Sequence, residues 1–200
     1  MRKIIIDTDT GSDDAVAIIM CLRELGDQVL ALTTVSGNVP MEQATLNCLM
    51  SVEVAGLPEP PPVYRGADRP LMRPPIHARN VHGDDGMSDC GAIHPTLKAV
   101  EGIHGADAII RLVEENPGEV ELAVIGPATN VALAMMKAPE TMKKLKCIWT
   151  TYKEMNVYKL FVLDVGLLGA MSDLDAMSIL EGNDIIEDMS FHDRLFYIRN

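Results

Sequence analysis

No Cys-x-x-Cys pair occurs in these 200 residues, no apolar stretch is long enough to cross a bilayer, and neither G-x-G-x-x-G nor a P-loop is present. Basic residues are scarce as well. Seventeen Lys and Arg stand against 29 Asp and Glu, and the resulting formal charge of -12 repels phosphate backbones. These absences argue against a membrane protein, a dinucleotide-binding fold and a nucleic-acid partner, and leave a small neutral or cationic ligand as the easier fit. Cys21, Cys48, Cys90 and Cys147 are widely spaced, three of them in apolar surroundings, and read as reduced cysteines of a cytoplasmic protein. After Arg2-Lys3, Asp7 and Asp9 interrupt the apolar stretch before a signal-peptide core can form. An apolar content of 48% is enough for a real core.

What is present is concentrated near the N-terminus. Directly after Ile4-Ile5-Ile6, the run Asp7-Thr8-Asp9-Thr10-Gly11-Ser12-Asp13-Asp14-Ala15 places four carboxylates in eight positions. The apolar run reads as a buried strand, the Gly-containing segment as a tight loop, and Ala15 to Met20 as the start of a helix. The acids therefore sit at the carboxyl end of a strand, where open α/β sheets bind ligands. Crowded carboxylates raise one another's pKa unless a cation or bound donors offset the charge, and hard oxygen ligands select calcium or magnesium over zinc. Helix capping is the alternative use of Asp13 and Asp14, but it gives Asp7 and Asp9 no role. An EF-hand is excluded, because counting from Asp7 the Gly falls fifth and the twelfth residue is Ile18.

The same punctuation recurs along the chain. Val29 to Val35 reads as a second strand ending at Ser36-Gly37-Asn38. Residues 41 to 55 read as a packed helix stopped by Gly56-Leu57-Pro58, and Val63-Tyr64 as a short third strand. From Gly66 to about Pro95 the chain is rich in Pro, Gly, His and Asp, a long loop of the kind that is functional or mobile. A helix from about Ala106 to Glu115 follows. The strand Val120 to Ile125 then ends at Gly126-Pro127-Ala128-Thr129-Asn130, with a helix through Met136. This alternation predicts an α/β fold with an open, mostly parallel sheet covered by helices on both faces. Right-handed crossovers would let the three polar strand ends meet along one edge. His77, His94 and His104 match no tight metal spacing and receive no role.

The loop Asp7 to Ala15 resembles the D-T-D-x-G-x-D-D-A signature of the inosine-uridine nucleoside hydrolases. Ser36-Gly37-Asn38, Val81-His82-Gly83-Asp84-Asp85-Gly86 and Ile125-Gly126-Pro127-Ala128-Thr129-Asn130 follow in that family's order. The resemblance covers residues 1 to 149 and implies a calcium-dependent N-ribohydrolase of Rossmann-like core, acting on ribonucleosides in purine or pyrimidine salvage. It implies that Asp9, Asp14 and the backbone carbonyl of Ile125 bind calcium, and that Asp9 is also the general base. Asp13 and Asn38 would hydrogen-bond the ribose, His82 would lie near the departing base, and Asp7 would orient the loop.

Beyond residue 149 the pattern changes. The family continues from the strand around Lys146-Cys147-Ile148 into a Gly-Gly turn and a ribose-gripping stretch, whereas this chain reads Trp149-Thr150-Thr151-Tyr152-Lys153-Glu154-Met155. Residues 150 to 200 are read as a tail of different origin. From about residue 158, Lys159 to Leu168 and Ile179 to Asp184 resemble the C-terminal domain of an AAA-type ATPase family, which would place a junction near residues 149 to 157. His192-Asp193 is a dipeptide of the kind whose Asp completes the family's calcium shell. Two other functions stay open. One is an inactive remnant with weak metal or ribose binding. The other is a haloacid dehalogenase-type phosphohydrolase using Asp7-Thr8-Asp9-Thr10 as its nucleophile loop. A truncated sheet exposes apolar surface, so a homo-oligomer is a further expectation.

Overall fold

The protein is described here by a computed structural model covering residues 1–91, 94–151 and 195–198. The ATPase-like segments and His192-Asp193 lie outside the described residues. In chain order the elements are β1 (Lys3–Thr8), α1 (Ser12–Leu25), β2 (Val29–Thr34), α2 (Met41–Ala55), β3 (Val63–Arg65), α3 (Arg79–His82), α4 (Gly105–Glu115), β4 (Val120–Val124), α5 (Thr129–Lys137), α6 (Pro139–Met142), β5 (Cys147–Thr151) and β6 (Leu195–Ile198). The strands lie in the order β3-β2-β1-β4-β5-β6. The first five are parallel, and β6 pairs antiparallel with β5.

The isoleucine run shows why helices cover both faces. Side chains alternate along a strand, so Ile4 and Ile6 point one way and Ile5 the other. Ile4 and Ile6 join Ile18, Leu22, Cys48, Leu49 and Val52 on the face covered by α1 and α2. Ile5 joins Ile109, Val113, Leu122, Val131 and Ala134 on the face covered by α4 and α5. All three isoleucines are buried at 1% exposure or less, which is the burial a fully covered parallel sheet requires.

Topology locates the site. The chain builds outward from β1 through β2 to β3, then returns to the other side of β1 with β4, so β1 and β4 flank the point where the winding reverses. Loops diverge at such a point and leave a crevice beyond the carboxyl ends of the strands. The described part of the long loop, residues 66–91, is irregular as expected, apart from the single turn α3.

Among the described residues, no helix is long and apolar enough to cross a membrane. Cys21, Cys48 and Cys147 are buried and Cys90 is exposed. At the opposite end of the sheet from the crevice, Glu121 on β4 is 3% exposed and accepts hydrogen bonds from Arg2, Lys146 and the Trp149 indole. Burial alone would raise the Glu121 pKa. The donors outweigh it, with the Arg2 charge helping, and hold the carboxyl below its usual range.

Candidate active site at the carboxyl edge of the sheet

The acidic loop, the turn after β2 and the turn after β4 converge as neighbours. The Val35 N–H donates to the Thr8 carbonyl at 3.0 Å, and the N–H groups of Ile125 and Gly126 donate to the Asp7 carbonyl at 2.8 and 3.1 Å. These bonds continue the strand ladders one step beyond the strands and bring the Ile125 backbone alongside the acidic loop. Two glycines make the approach possible. A Cβ on Gly126 would lie 2.7 Å from the Asp9 backbone nitrogen, and one on Gly37 would overlap the Asp9 carboxylate.

Each carboxylate of the loop occupies a distinct environment. Asp7 is fully buried, and its Oδ1 accepts from Thr33 Oγ1 at 2.5 Å and from Asn130 Nδ2 at 2.7 Å. Burial pushes its pKa up to about 7 against those two hydrogen bonds, and the charge on Asp9 adds to the rise. Asp9 is 5% exposed, and its Oδ2 accepts the Asn38 backbone N–H at 2.7 Å. Asp14 is 3% exposed; its Oδ2 accepts the Gly11 N–H at 2.8 Å and lies 3.4 Å from Asn38 Nδ2. Asp13 is half exposed at the start of α1, where negative charge complements the helix dipole.

Capping therefore does account for Asp14, which closes the first turn of α1 from its third position. Asp7, given no capping role by the sequence, also has structural work as a tie between β1, β2 and α5. Beside these roles, Asp9 and Asp14 are two nearly buried carboxylates joined through Asn38. Two buried side-chain oxygens among the described residues, Asp7 Oδ2 and Ser36 Oγ, have no hydrogen-bond partner, and both belong to this edge. An all-oxygen donor set with unsatisfied buried oxygens fits a hard divalent cation. It is half a shell. Among the described residues no three His, Cys, Asp or Glu side chains converge to hold a metal ion.

His82 is buried, with Nδ1 3.2 Å from Ser12 Oγ and 3.8 Å from Asp13 Oδ1, so α3 is docked on the first turn of α1. The structure thus brings Asp9, Asp13, Asp14, Asn38, Ile125 and His82 to one edge. Three contributors carried no role in the sequence reading. Asn130 donates through Nδ2 to Asp7 Oδ1 and to the Thr34 carbonyl at 2.9 Å, and its Oδ1 accepts the Ala67 N–H at 2.8 Å. Asn47, fully buried on α2, donates to the carbonyls of Thr10 and Asp85, both at 2.9 Å. His77 contacts the Gly37 carbonyl. Only Asn130 had a signal, its place in the turn after β4. His104 has a local task, its Nδ1 accepting the Ala106 N–H at the start of α4.

Comparison with known proteins agrees with this geometry. The family described as inosine-uridine preferring nucleoside hydrolase matches residues 4–151. An uncharacterized protein of Schizosaccharomyces pombe is 44% identical over 147 residues, covering 73% of this chain and 47% of its own length. Uridine nucleosidase 1 of Arabidopsis thaliana is 42% identical over 148 residues, covering 74% of this chain and 44% of its own. Among solved structures, a purine-preferring ribonucleoside hydrolase from Gardnerella vaginalis superposes with a TM-score of 0.65 at 32% identity, covering 72% of this chain and 46% of that one. The chain thus spans about half the length of the relatives it matches. With the strand order, the acidic loop and the match over residues 4–151 in agreement, the chain belongs to the inosine-uridine preferring nucleoside hydrolase family.

Proposed function

We propose that the chain carries the cation- and ribose-binding half of a nucleoside hydrolase site, and that its reaction is hydrolysis of the N-glycosidic bond of a ribonucleoside to ribose and free base. The observation that carries the reading is the pair of nearly buried carboxylates, Asp9 and Asp14, bridged by Asn38 where β1, β2 and β4 end. Asp9, Asp14 and the Ile125 carbonyl would hold calcium, which when bound supplies charge compensation and Lewis acidity toward water and sugar hydroxyls. Asp9 acts as general base, taking the proton from the water that attacks the anomeric carbon. The Asn38 N–H, held on one carboxylate oxygen, fixes the plane of that base. Half-exposed Asp13 and partly buried Asn38 orient the ribose hydroxyls, and an oxocarbenium-like sugar is stabilised by the surrounding carboxylates. His82, buried beside Ser12 and Asp13, would lie near the departing base.

A second reading, a remnant that binds metal or ribose without turnover, is favoured by one observation: among the described residues, only two carboxylates and a carbonyl are offered for a shell of about six to eight oxygens. The phosphohydrolase reading has less support. Asp7, its nucleophile, is fully buried and bonded on Oδ1, and the D-x-D-x-T pattern requires Thr where Gly11 stands.

The test is calorimetric titration with calcium and assay of ribose release from inosine, uridine and a chromogenic riboside, for the wild type and Asp9→Asn. Calcium binding and ribose release, both lost in the variant, are expected. Calcium binding without release moves the conclusion to the remnant, and the absence of both overturns the site itself. Cytoplasmic location and homo-oligomerisation belong to the same proposal and are tested by fractionation and by size-exclusion chromatography with light scattering.

A further inference from the structure

The turn Ser36-Gly37-Asn38 is gripped from two sides. On its inner side, the Asn38 N–H and Nδ2 reach Asp9 and Asp14, and the missing side chain of Gly37 lets the turn lie flush on the Asp9 carboxylate, whose Cγ is 2.7 Å from where a Cβ would be. On its outer side, two consecutive residues of the long loop take two consecutive carbonyls. His77 Nδ1 lies 2.9 Å from the Gly37 carbonyl, and the Ala78 N–H donates to the Asn38 carbonyl at 2.9 Å. A carbonyl only accepts, so Nδ1 carries the hydrogen of that bond. Four residues further on, His82 fastens the same segment to Ser12.

We infer that His77 is a positioning residue: through the Gly37 carbonyl it clamps the Asn38 peptide against Asp9 and Asp14. This rests on the cation-site reading above and deepens it, adding a residue outside the motifs of the acidic loop and strand ends. Asn38 cannot hold both carboxylates unless its own backbone is fixed. The Gly37 N–H bonds the Val39 carbonyl at 3.1 Å and the Ser36 N–H the Ala67 carbonyl at 2.9 Å, which leaves the Gly37 carbonyl for a side chain to fix. His77 is the side chain that fixes it, through the backbone of the turn.

Residue-resolved amide hydrogen exchange on the cation-free full chain tests the clamp, in the wild type, His77→Ala and His77→Asn. Removing one neutral hydrogen bond should raise local opening by about 2- to 10-fold. Faster exchange of that size is expected at Asn38 and Ala78 in His77→Ala, with core amides such as Ile6 and Leu122 unchanged. His77→Asn should restore protection, because an Asn amide nitrogen occupies nearly the place of Nδ1. Unchanged exchange at Asn38, or equal acceleration at Ile6 and Leu122, overturns the inference. Calcium titration supplies the link to the site: affinity should fall several-fold in His77→Ala and recover in His77→Asn. Faster local exchange with unaltered calcium affinity refutes the positioning role. A wild type that binds no calcium overturns the cation-site reading instead, and the exchange pattern then still decides whether His77 orders the turn.

Discussion

Asn130→Ala is the sharpest probe of how the fold supports the site. Asn130 is fully buried, and its side chain makes three hydrogen bonds, to Asp7 Oδ1, to the Thr34 carbonyl and from the Ala67 N–H. Truncation removes all three together, and the partners remain where water does not reach them. A buried group stranded in this way costs about 1–3 kcal/mol. Asp7 keeps Thr33 as a donor, so its loss is partial, whereas the Ala67 N–H loses the acceptor it uses here. The sum is about 3–5 kcal/mol, a large share of the roughly 5–15 kcal/mol that holds a domain together. For a domain of this size that corresponds to a melting point lower by about 10 °C. The assay is urea unfolding of wild type and variant without added metal, followed by far-UV circular dichroism and by Trp149 fluorescence. A loss below about 1 kcal/mol would refute the reasoning, since water or a shifted neighbour would then be satisfying the stranded groups. Asn130→Asp sharpens the comparison. It keeps the shape but sets a second carboxylate 2.7 Å from Asp7 Oδ1, so it should be less stable at pH 8 than at pH 5, where a shared proton restores the bond.

Three further outcomes are expected. Gly37→Ala should abolish calcium binding and ribose release, because its Cβ displaces the Asp9 carboxylate, at a stability cost of about 1–3 kcal/mol; calorimetry and urea unfolding on one sample separate the two effects. Glu121→Gln should lower stability at pH 7 by about 2 kcal/mol, since Arg2 and Lys146 lose their charged partner. The folded-state pKa of Glu121 is depressed, so its contribution is fully present above the unfolded value near 4.5 and is lost as pH falls through the folded value; the gap between wild type and variant in urea midpoints should therefore close in acid. Of the four thiols, Cys90 alone should react quickly with a disulfide reagent under native conditions, whereas burial pushes the Cys48 thiol up to about 12 and should leave it inert until the chain unfolds.

The strands and their polar ends were legible because a buried parallel sheet writes a local pattern. Ile4-Ile5-Ile6 and Leu122 to Ile125 are continuous apolar runs with abrupt polar ends, as a sheet covered by helices on both faces requires. Asp9, Asp14 and Asn38 were legible for the same reason, since each stands within a few residues of such an end. What the sequence hid was every contact made across a long chain separation. Asn130 meets Asp7 over 123 positions and His77 meets Gly37 over 40, and hydrogen bonds of that kind have no periodicity and little composition to mark them. Capping gave Asp7 no role, and the bonds it does make are non-local, Thr33 meeting it from the adjacent strand across 26 positions.

Asp14 shows why the capping and ligand readings of an acidic loop need not compete. Its Oδ2 takes the Gly11 N–H and so closes the first turn of α1, and this bond fixes the carboxylate in the orientation that faces Asn38. On the proposed reading, a ligand held by the helix it caps would be arranged before any cation arrives, and binding would not bear the entropy of ordering it. The same holds for Asp9, whose carboxylate accepts the Asn38 N–H and lies against Gly37. The fold and the site therefore draw on the same bonds. Mutating the acidic loop should change stability and cation binding together, whereas His77, one bond outside it, offers a way to change the second while sparing the first.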